Sequence, residues 1–480
     1  MTATSIHDPD GHYRSQSVDG AHTGQAEGPH GYFLFIFGVF GFCHWISYAF
    51  EWSQATLLTH AIGLAGLALA LFPFSRPALI FLVGALAIDA VLQAPMFSNH
   101  TMLKNFLLLG MLAAGLQTII SQDDWASFMQ RIALCGRWLL IGMYFFGVLH
   151  KVNTDFLDPE NSCATALWLA MPFPSIITES TFIHITGIWA TFIVEGAIVA
   201  LLIWRRTRHL GIFFGIGFHA LLALSGYAFY ATFSTLTIAL HCLFLPPLAH
   251  RRISEHPLFT RALSWLRTPA GWAVIALVTV VLAGYAAIGM YIATALGWLL
   301  LIIIPFAVMV LKTGRDRTDG ERSDPALPLR PAWVPLLGVL FLFNGFTPYL
   351  GLKTAQSFNM FANLHLEDGR SNHLIFSNPP GPYGYLEDLV EITYSSGVPW
   401  FAYIRSQDLR IVYYDLLNHM ERAGDGAIVS FRRGLESHER VTRQDLEEEF
   451  DRILHPRWFR AWFHFTPVDL TEPKPCALNR

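Results

Sequence analysis

Along most of this chain apolar and polar residues do not alternate; the apolar ones come in long unbroken runs. Runs at about 31–50, 56–72, 77–96, 103–120, 131–150, 183–204, 210–228, 229–248, 271–290, 294–311 and 333–350 approach the twenty residues a helix needs to cross a bilayer. They predict about eleven spans. Several are short or glycine-rich, so one pair fits a re-entrant segment as well as a crossing. From Gly351 onward the pattern is that of an aqueous fold. Leu389 to Ser395 reads as a strand, Asp408 to Ala423 as an amphipathic helix, Ala427 to Arg432 as a strand and Gln444 to Leu454 as an acidic helix. The expected architecture is an α-helical polytopic membrane protein, its transmembrane part at 31–350, with a small extracytoplasmic α+β domain at 351–480. Residues 1–30 hold no apolar run and predict a disordered tail, and 313–332 predicts a linker between spans.

Composition agrees with the membrane class: 53% of 480 residues are apolar and 14% charged. The lipid bilayer is therefore the first expected partner. A net charge of -4 without a basic stripe argues against nucleic acid. Charge also orients the chain. If the spans alternate, one side collects Arg14, Arg76, Arg131, Arg205, Arg206, Arg208, Arg251, Arg252, Arg261, Arg267, Lys312, Arg315, Arg317, Arg322 and Arg330, while the connections of the other receive only Lys104 and Lys151. The rich side is then cytoplasmic, with the N-terminus, in what the short loops suggest is a bacterial plasma membrane. The loops holding Asn99-His100 and His150-Lys151 share the outer face with the C-terminal domain.

Five cysteines divide by the same topology. Cys43, Cys135 and Cys242 lie in spans and read as core residues. Cys163 and Cys476 both fall outside, where an oxidising compartment would allow them to pair. No CxxC, HExxH or close His/Asp cluster occurs, so no metal is predicted.

Ionisable groups inside spans need a reason, because a charge at mid-bilayer costs roughly 3 kcal/mol on insertion scales. Asp89 and Gln93 share a helix face at i,i+4, Glu195 lies mid-span, and His219 and His241 lie in the next two spans. Each fits either a hydrogen bond between helices or a proton path lined by polar groups. Glu195 has no cation in its own span and must find a partner or be protonated. At Ile141 to Pro159 an apolar helix runs into His150 and Lys151, with Asn153, Asp155 and Asp158 next. A lysine there is either an ordinary snorkelling residue or, if it loses hydration, a base near neutral pH.

The run Phe146 to Phe156, with Lys151-Val152-Asn153-Thr154-Asp155-Phe156, resembles the signature of the vitamin K-dependent γ-carboxylase superfamily, whose bacterial members are called HTTM-domain proteins. Three further stretches look similar, in the same order. Ser98-Asn99-His100 through Leu103 resembles the family's Asn-His motif, Glu195 with the basic turn and Leu210 to Phe214 resembles its next pair of spans, and Phe218-His219 its Phe-His. The likeness covers about residues 85–250 and, more faintly, Pro348-Tyr349 through Phe358-Asn359-Met360.

The resemblance implies an enzyme of the lyase or monooxygenase type. Its lysine base, Lys151 here, deprotonates a reduced quinone such as vitamin K hydroquinone. Dioxygen then converts the quinol to an epoxide, and the strong base formed on the way lets carbon dioxide add to a peptide glutamate. Carried over, Lys151 and His100 would be catalytic, and Asn99, Asn153, Glu195 and His219 would shape the substrate pocket. His150 stands where the carboxylase has a second lysine, and the aqueous C-terminal region is far shorter than the carboxylase's. A secreted peptide or a small molecule is the expected substrate. Two other classes stay open: a proton-coupled transporter using Asp89, Glu195 and His219, and a non-catalytic maturation or immunity factor for a secreted peptide.

Overall fold

The computed structural model describes residues 30–94, 98–225, 231–304, 307–308, 325–367, 369–454, 460, 462–471, 473–474 and 476. The N-terminal tail and most of the 313–332 linker lie outside the described residues. Among the described residues seven helices are long and apolar enough to cross a membrane, by length and composition: Gly31–Glu51, Arg76–Gln93, Asn99–Ser121, Trp125–Leu149, Thr181–Ile203, Pro269–Ala287 and Trp333–Leu350. Three other expected spans fall on the shorter helices Leu57–Leu71, Arg208–Ala223 and Ala231–Cys242, and the one expected at 294–311 lies partly outside the described residues.

In chain order the helices are α1 (Gly31–Ile46), α2 (Leu57–Leu71), α3 (Arg76–Gln93), α4 (Asn99–Ser121), α5 (Trp125–Leu149), α6 (Thr154–Leu157), α7 (Cys163–Leu169), α8 (Ser175–Thr178), α9 (Thr181–Ile203), α10 (Arg208–Ala223), α11 (Ala231–Cys242), α12 (Pro247–Ser254), α13 (Pro257–Leu266), α14 (Pro269–Ala287), α15 (Tyr291–Trp298) and α16 (Trp333–Phe346). Polar residues mark where they begin. Ser98 accepts from the amide of Thr101 at the start of α4, Asp124 from that of Ser127 at the start of α5, and Thr268 from that of Gly271 ahead of α14. Glycine sets the closest approach. A Cβ at Gly66 of α2 would lie 2.7 Å from the carbonyl oxygen of Gly38 of α1, so these helices meet backbone to backbone.

One apolar core runs through the helices, from Phe33 and Phe37 of α1 to Leu139 and Phe146 of α5 and Phe341 of α16. A second core belongs to the C-terminal part. There a four-stranded antiparallel sheet, order β2-β1-β3-β4, is built from β1 (Leu389–Ser396), β2 (Arg410–Val412), β3 (Ile428–Arg433) and β4 (Glu436–Thr442), with helices Pro399–Ser406, Tyr413–Arg422 and Glu447–Ile453. The expected strands 389–395 and 427–432 are present. The expected helix from Asp408 begins only at Tyr413, because residues 410–412 pair with β1 instead. The expected acidic helix opens with a 3₁₀ turn at Gln444–Leu446.

Residues 351–367 and 369–378 form no strand of the sheet, and of them Leu352 packs against its core. They run as a strap across one end of the bundle. Phe358 stacks on Phe341 at 4.3 Å and its amide donates to Asn99 Oδ1 at 2.7 Å. The amide of Leu374 donates to the carbonyl of Val152, and that of Thr154 to the carbonyl of Asn372. A disulfide joins Cys163 of α7 to Cys476, as the shared side of the two residues allowed.

Candidate functional site

The site is organised by the C-terminal end of α5. His150 caps the helix, and both its nitrogens are engaged: Nδ1 lies 2.7 Å from the Tyr349 hydroxyl and Nε2 2.9 Å from the Ser357 carbonyl. A carbonyl can only accept, so Nε2–H donates to Ser357, and in the neutral ring Nδ1 accepts from Tyr349. His150 therefore holds the strap against the helix end and presents no second amine.

The next residue points into the bundle. Lys151 is 7% exposed, and its Nζ lies 2.7 Å from Glu195 Oε1 and 2.8 Å from Oε2. This is the cation that Glu195 lacked in its own span, supplied by a different helix. Gly147, one turn before, makes room for it: a Cβ there would sit 2.9 Å from Glu195 Oε2. The Phe156 ring lies 5.8 Å from the ammonium and adds a weak cation–π contact.

The pair borders a cavity of about 240 Å³. Its walls are mostly apolar, from Leu103 of α4, Met143 of α5, Leu167 and Trp168 of α7, Val194 of α9, Phe218 of α10 and Phe358 of the strap. Further polar side chains reach it, among them Asn99, Thr191, His184 and the pair Tyr144 and His219. Tyr144 lies seven residues before Lys151 on α5, about two helical turns away on the same face. Its hydroxyl bridges His219 Nε2 at 3.0 Å and His241 Nε2 at 3.2 Å. His241 Nδ1 lies 2.7 Å from the Thr237 carbonyl and donates to it, so His241 Nε2 accepts from Tyr144. His241 thus makes the bond between helices that was one of its two expected roles, whereas His219 also lines the cavity.

The structure brings together Lys151, Glu195, His219 and Asn99, all of which line the cavity. It does not place His100 or Asn153 on the cavity wall. On α4, Asn99 and Leu103 are one turn apart and face the cavity, and His100 is rotated about 100° from Asn99. The His100 ring lies 2.8 Å through Nδ1 from Ser98 Oγ, which continues to Thr101 and the Tyr48 hydroxyl. Of the two residues expected to be catalytic, Lys151 lies on this cavity wall, with Asn99 beside it, and His100 does not. Asn153 is fully buried and engaged with backbone: Nδ2 donates to the carbonyls of His150 and Ala362, and Oδ1 caps α6 by accepting from Phe156. Its amide fixes the turn and the strap, leaving nothing for a substrate.

Lys104 also departs from expectation. It is fully buried on α4, not in a connection, and its Nζ lies 3.1 Å from Asp89 Oδ2. Gln93 donates to Asp89 Oδ1 at 2.7 Å, as the i,i+4 spacing suggested, and His44 Nε2 stands 3.5 Å from Asp89 Oδ2. Sequence reasoning missed Tyr144, although its spacing from Lys151 was a usable signal, and it missed the α7 wall, whose short apolar pattern gave none. Among the described residues no group of three or more His, Cys, Asp or Glu side chains is placed to hold a metal ion.

The cavity can take a largely apolar molecule of modest size, offering it a carboxylate–ammonium pair at one end and a phenol–imidazole pair about two turns deeper. Compared with known proteins, the chain matches no family model, no curated protein and no solved structure.

Proposed function

We propose that this chain is an integral-membrane enzyme of the vitamin K-dependent γ-carboxylase type, which removes a proton from a quinol held beside Lys151. One observation carries the reading: Lys151 and Glu195, bonded at 2.7 and 2.8 Å, border an apolar cavity at the end of a spanning helix. Away from water, the ion pair and the neutral amine–acid pair lie closer in free energy than they do in solution, because hydration no longer favours the ions. A quinol hydroxyl loses its proton to either form. The charged pair takes it on Glu195, and the neutral pair takes it on Lys151. Both routes end with an ammonium, a carboxylic acid and a quinol anion, and the ammonium holds the new negative charge.

Tyr144 and His219 suit the second oxygen of such a ligand, and the apolar walls suit its ring and tail. Dioxygen is the oxidant and carbon dioxide the second substrate of the full activity; a peptide or a small molecule is the acceptor. In this reading the arginine-rich face is cytoplasmic, and the strap and C-terminal sheet lie outside, where the acceptor arrives.

The test uses purified full-length protein with vitamin K hydroquinone and oxygen, following epoxide by chromatography. Wild type forms epoxide and Lys151→Ala does not. A wild-type protein that leaves the hydroquinone unchanged overturns the proposal. Proton-coupled flux in vesicles that is lost in Glu195→Gln and untouched in Lys151→Ala would identify a transporter instead.

A further inference from the structure

The arginine-rich end of the bundle carries an element that the cavity does not explain. There α12 and α13 connect α11, a shorter apolar helix, to α14, which is long and apolar enough to span. The coincidence of ends is structural: a Cβ at Gly31 would sit 3.0 Å from Ser254 Oγ of α12, and Arg267, between α13 and α14, donates to the Leu71 carbonyl at the end of α2.

Helix α13 has more apolar surface than the protein covers. Phe259 and Leu263 are buried, and Phe259 packs on Tyr32 and Phe35 of α1 at 5.3 and 5.2 Å. Leu258, Ala262 and Trp265, at i, i+4 and i+7, form a second stripe beside the first and stay exposed, Leu258 at 68% and Trp265 at 48%. Arg261 flanks that stripe, is exposed, and makes no ion pair among the described residues. Thr260 and Ser264 close the polar side. Nearby, Phe72 and Trp272 are 46% and 45% exposed, and the Arg267 guanidinium lies 4.6 Å from the Phe72 ring. Aromatic rings with cations at one level mark the headgroup layer of a bilayer. An apolar arc of which only half is buried by protein, edged by an arginine, is the pattern of a helix lying in that layer.

We propose that α13 is a lipid-binding helix: the Leu258–Ala262–Trp265 stripe enters the acyl boundary of the leaflet at this end, and Arg261 takes the phosphate of an anionic phospholipid. The occupant follows from charge. A water-facing helix has no use for the stripe, and a neutral surface has none for an unpaired arginine beside it.

The experiment uses the full-length protein in nanodiscs of phosphatidylcholine with or without phosphatidylglycerol. Brominated acyl chains quench tryptophan they touch, and the component contributed by Trp265 is read as the difference between wild type and Trp265→Phe. The expected result is a quenched component that Trp265→Phe removes. Phosphatidylglycerol retained on the protein, counted by native mass spectrometry, is expected to exceed phosphatidylcholine and to fall about five-fold in Arg261→Gln, the equivalent of about 1 kcal/mol per surface arginine. Equal retention of the two lipids, no change in Arg261→Gln, or a Trp265 component untouched by brominated lipid would each overturn it. Neither variant touches the Lys151 cavity, so epoxide formation serves as a check of folding where that activity is present, and thermal unfolding serves where it is absent.

Discussion

Two buried lysine–carboxylate pairs sit beside different faces of α4, and their surroundings differ. Lys151 and Glu195 border a cavity, with Asn99 and Leu103 of α4 on the same wall. Lys104 and Asp89 do not line that cavity: Lys104 is fully buried, Gln93 fills the second carboxylate oxygen, and His44 of α1 closes in at 3.5 Å. The chemistry of the ions is the same, so the difference lies in what else can reach them. The sealed pair ties α1, α3 and α4 together, and its ions cannot trade partners. The pair at the cavity leaves space for a third group, and a third group is what proton transfer requires.

The comparison is broken most directly at Lys151. In the proposed reaction Lys151→Met is expected to lower epoxide formation by about 10³ to 10⁴-fold, the usual contribution of a positioned base with its electrostatic support, whereas Lys104→Met is expected to leave turnover per folded molecule within a few-fold. Equal losses in both variants would erase the distinction. Next in size is stability. Asp89→Asn leaves a buried ammonium unpaired and should cost about 3–4 kcal/mol, with most of it regained when Lys104→Met is added. The midpoint of thermal unfolding in detergent measures this, and a double variant as unstable as the single one would show that the pair is no clamp.

A third lysine sharpens what pairing is worth. Lys353 is 2% exposed, its Nζ meets no hydrogen-bond partner among the described residues, and burial lowers its pKa to about 7. The folded-state value lies below the ordinary 10.5, so the folded chain binds fewer protons than the unfolded one between those values. Stability is then greatest above pH 10.5 and declines as pH falls toward 7. Lys353→Met should raise the unfolding midpoint by the equivalent of about 2–3 kcal/mol at pH 7 and by less at pH 10. A loss of stability, or a gain independent of pH, would mean that the amine has a partner. The smallest effect is expected from Gly147→Ala. The added methyl would press on Glu195 Oε2 from 2.9 Å, and epoxide formation should fall about ten-fold with little change in unfolding. Unchanged turnover would show that the position of the Glu195 carboxylate is not critical.

Much of this arrangement could be read from the chain before any coordinates. Runs of apolar residues announce helices because lipid allows little else, and a lone carboxylate in one of them demands a cation, which Lys151 supplies. The spacing of Asp89 and Gln93 was legible because helical neighbours at i,i+4 must touch. Lys104 was not, since a lysine one turn inside a helix looks the same in sequence whether it snorkels or meets Asp89 fifteen residues away. His100 and Asn99 differ by one residue, and one residue on a helix turns a side chain by about 100°, enough to decide which of two polar networks it joins. β4 has little apolar alternation to announce it; the pairing of Glu436–Thr442 with β3 defines the strand.

The Cys163–Cys476 disulfide spans 313 residues of sequence and anchors α7, whose Leu167 and Trp168 form part of the cavity wall. Cys476 is made after every described helix of the bundle, so α7 gains its covalent tie only once the rest of the cavity wall already has its residues in place. Until that bridge closes, Lys151 and Glu195 have each other but their chamber lacks the cross-link that fixes the Leu167–Trp168 side.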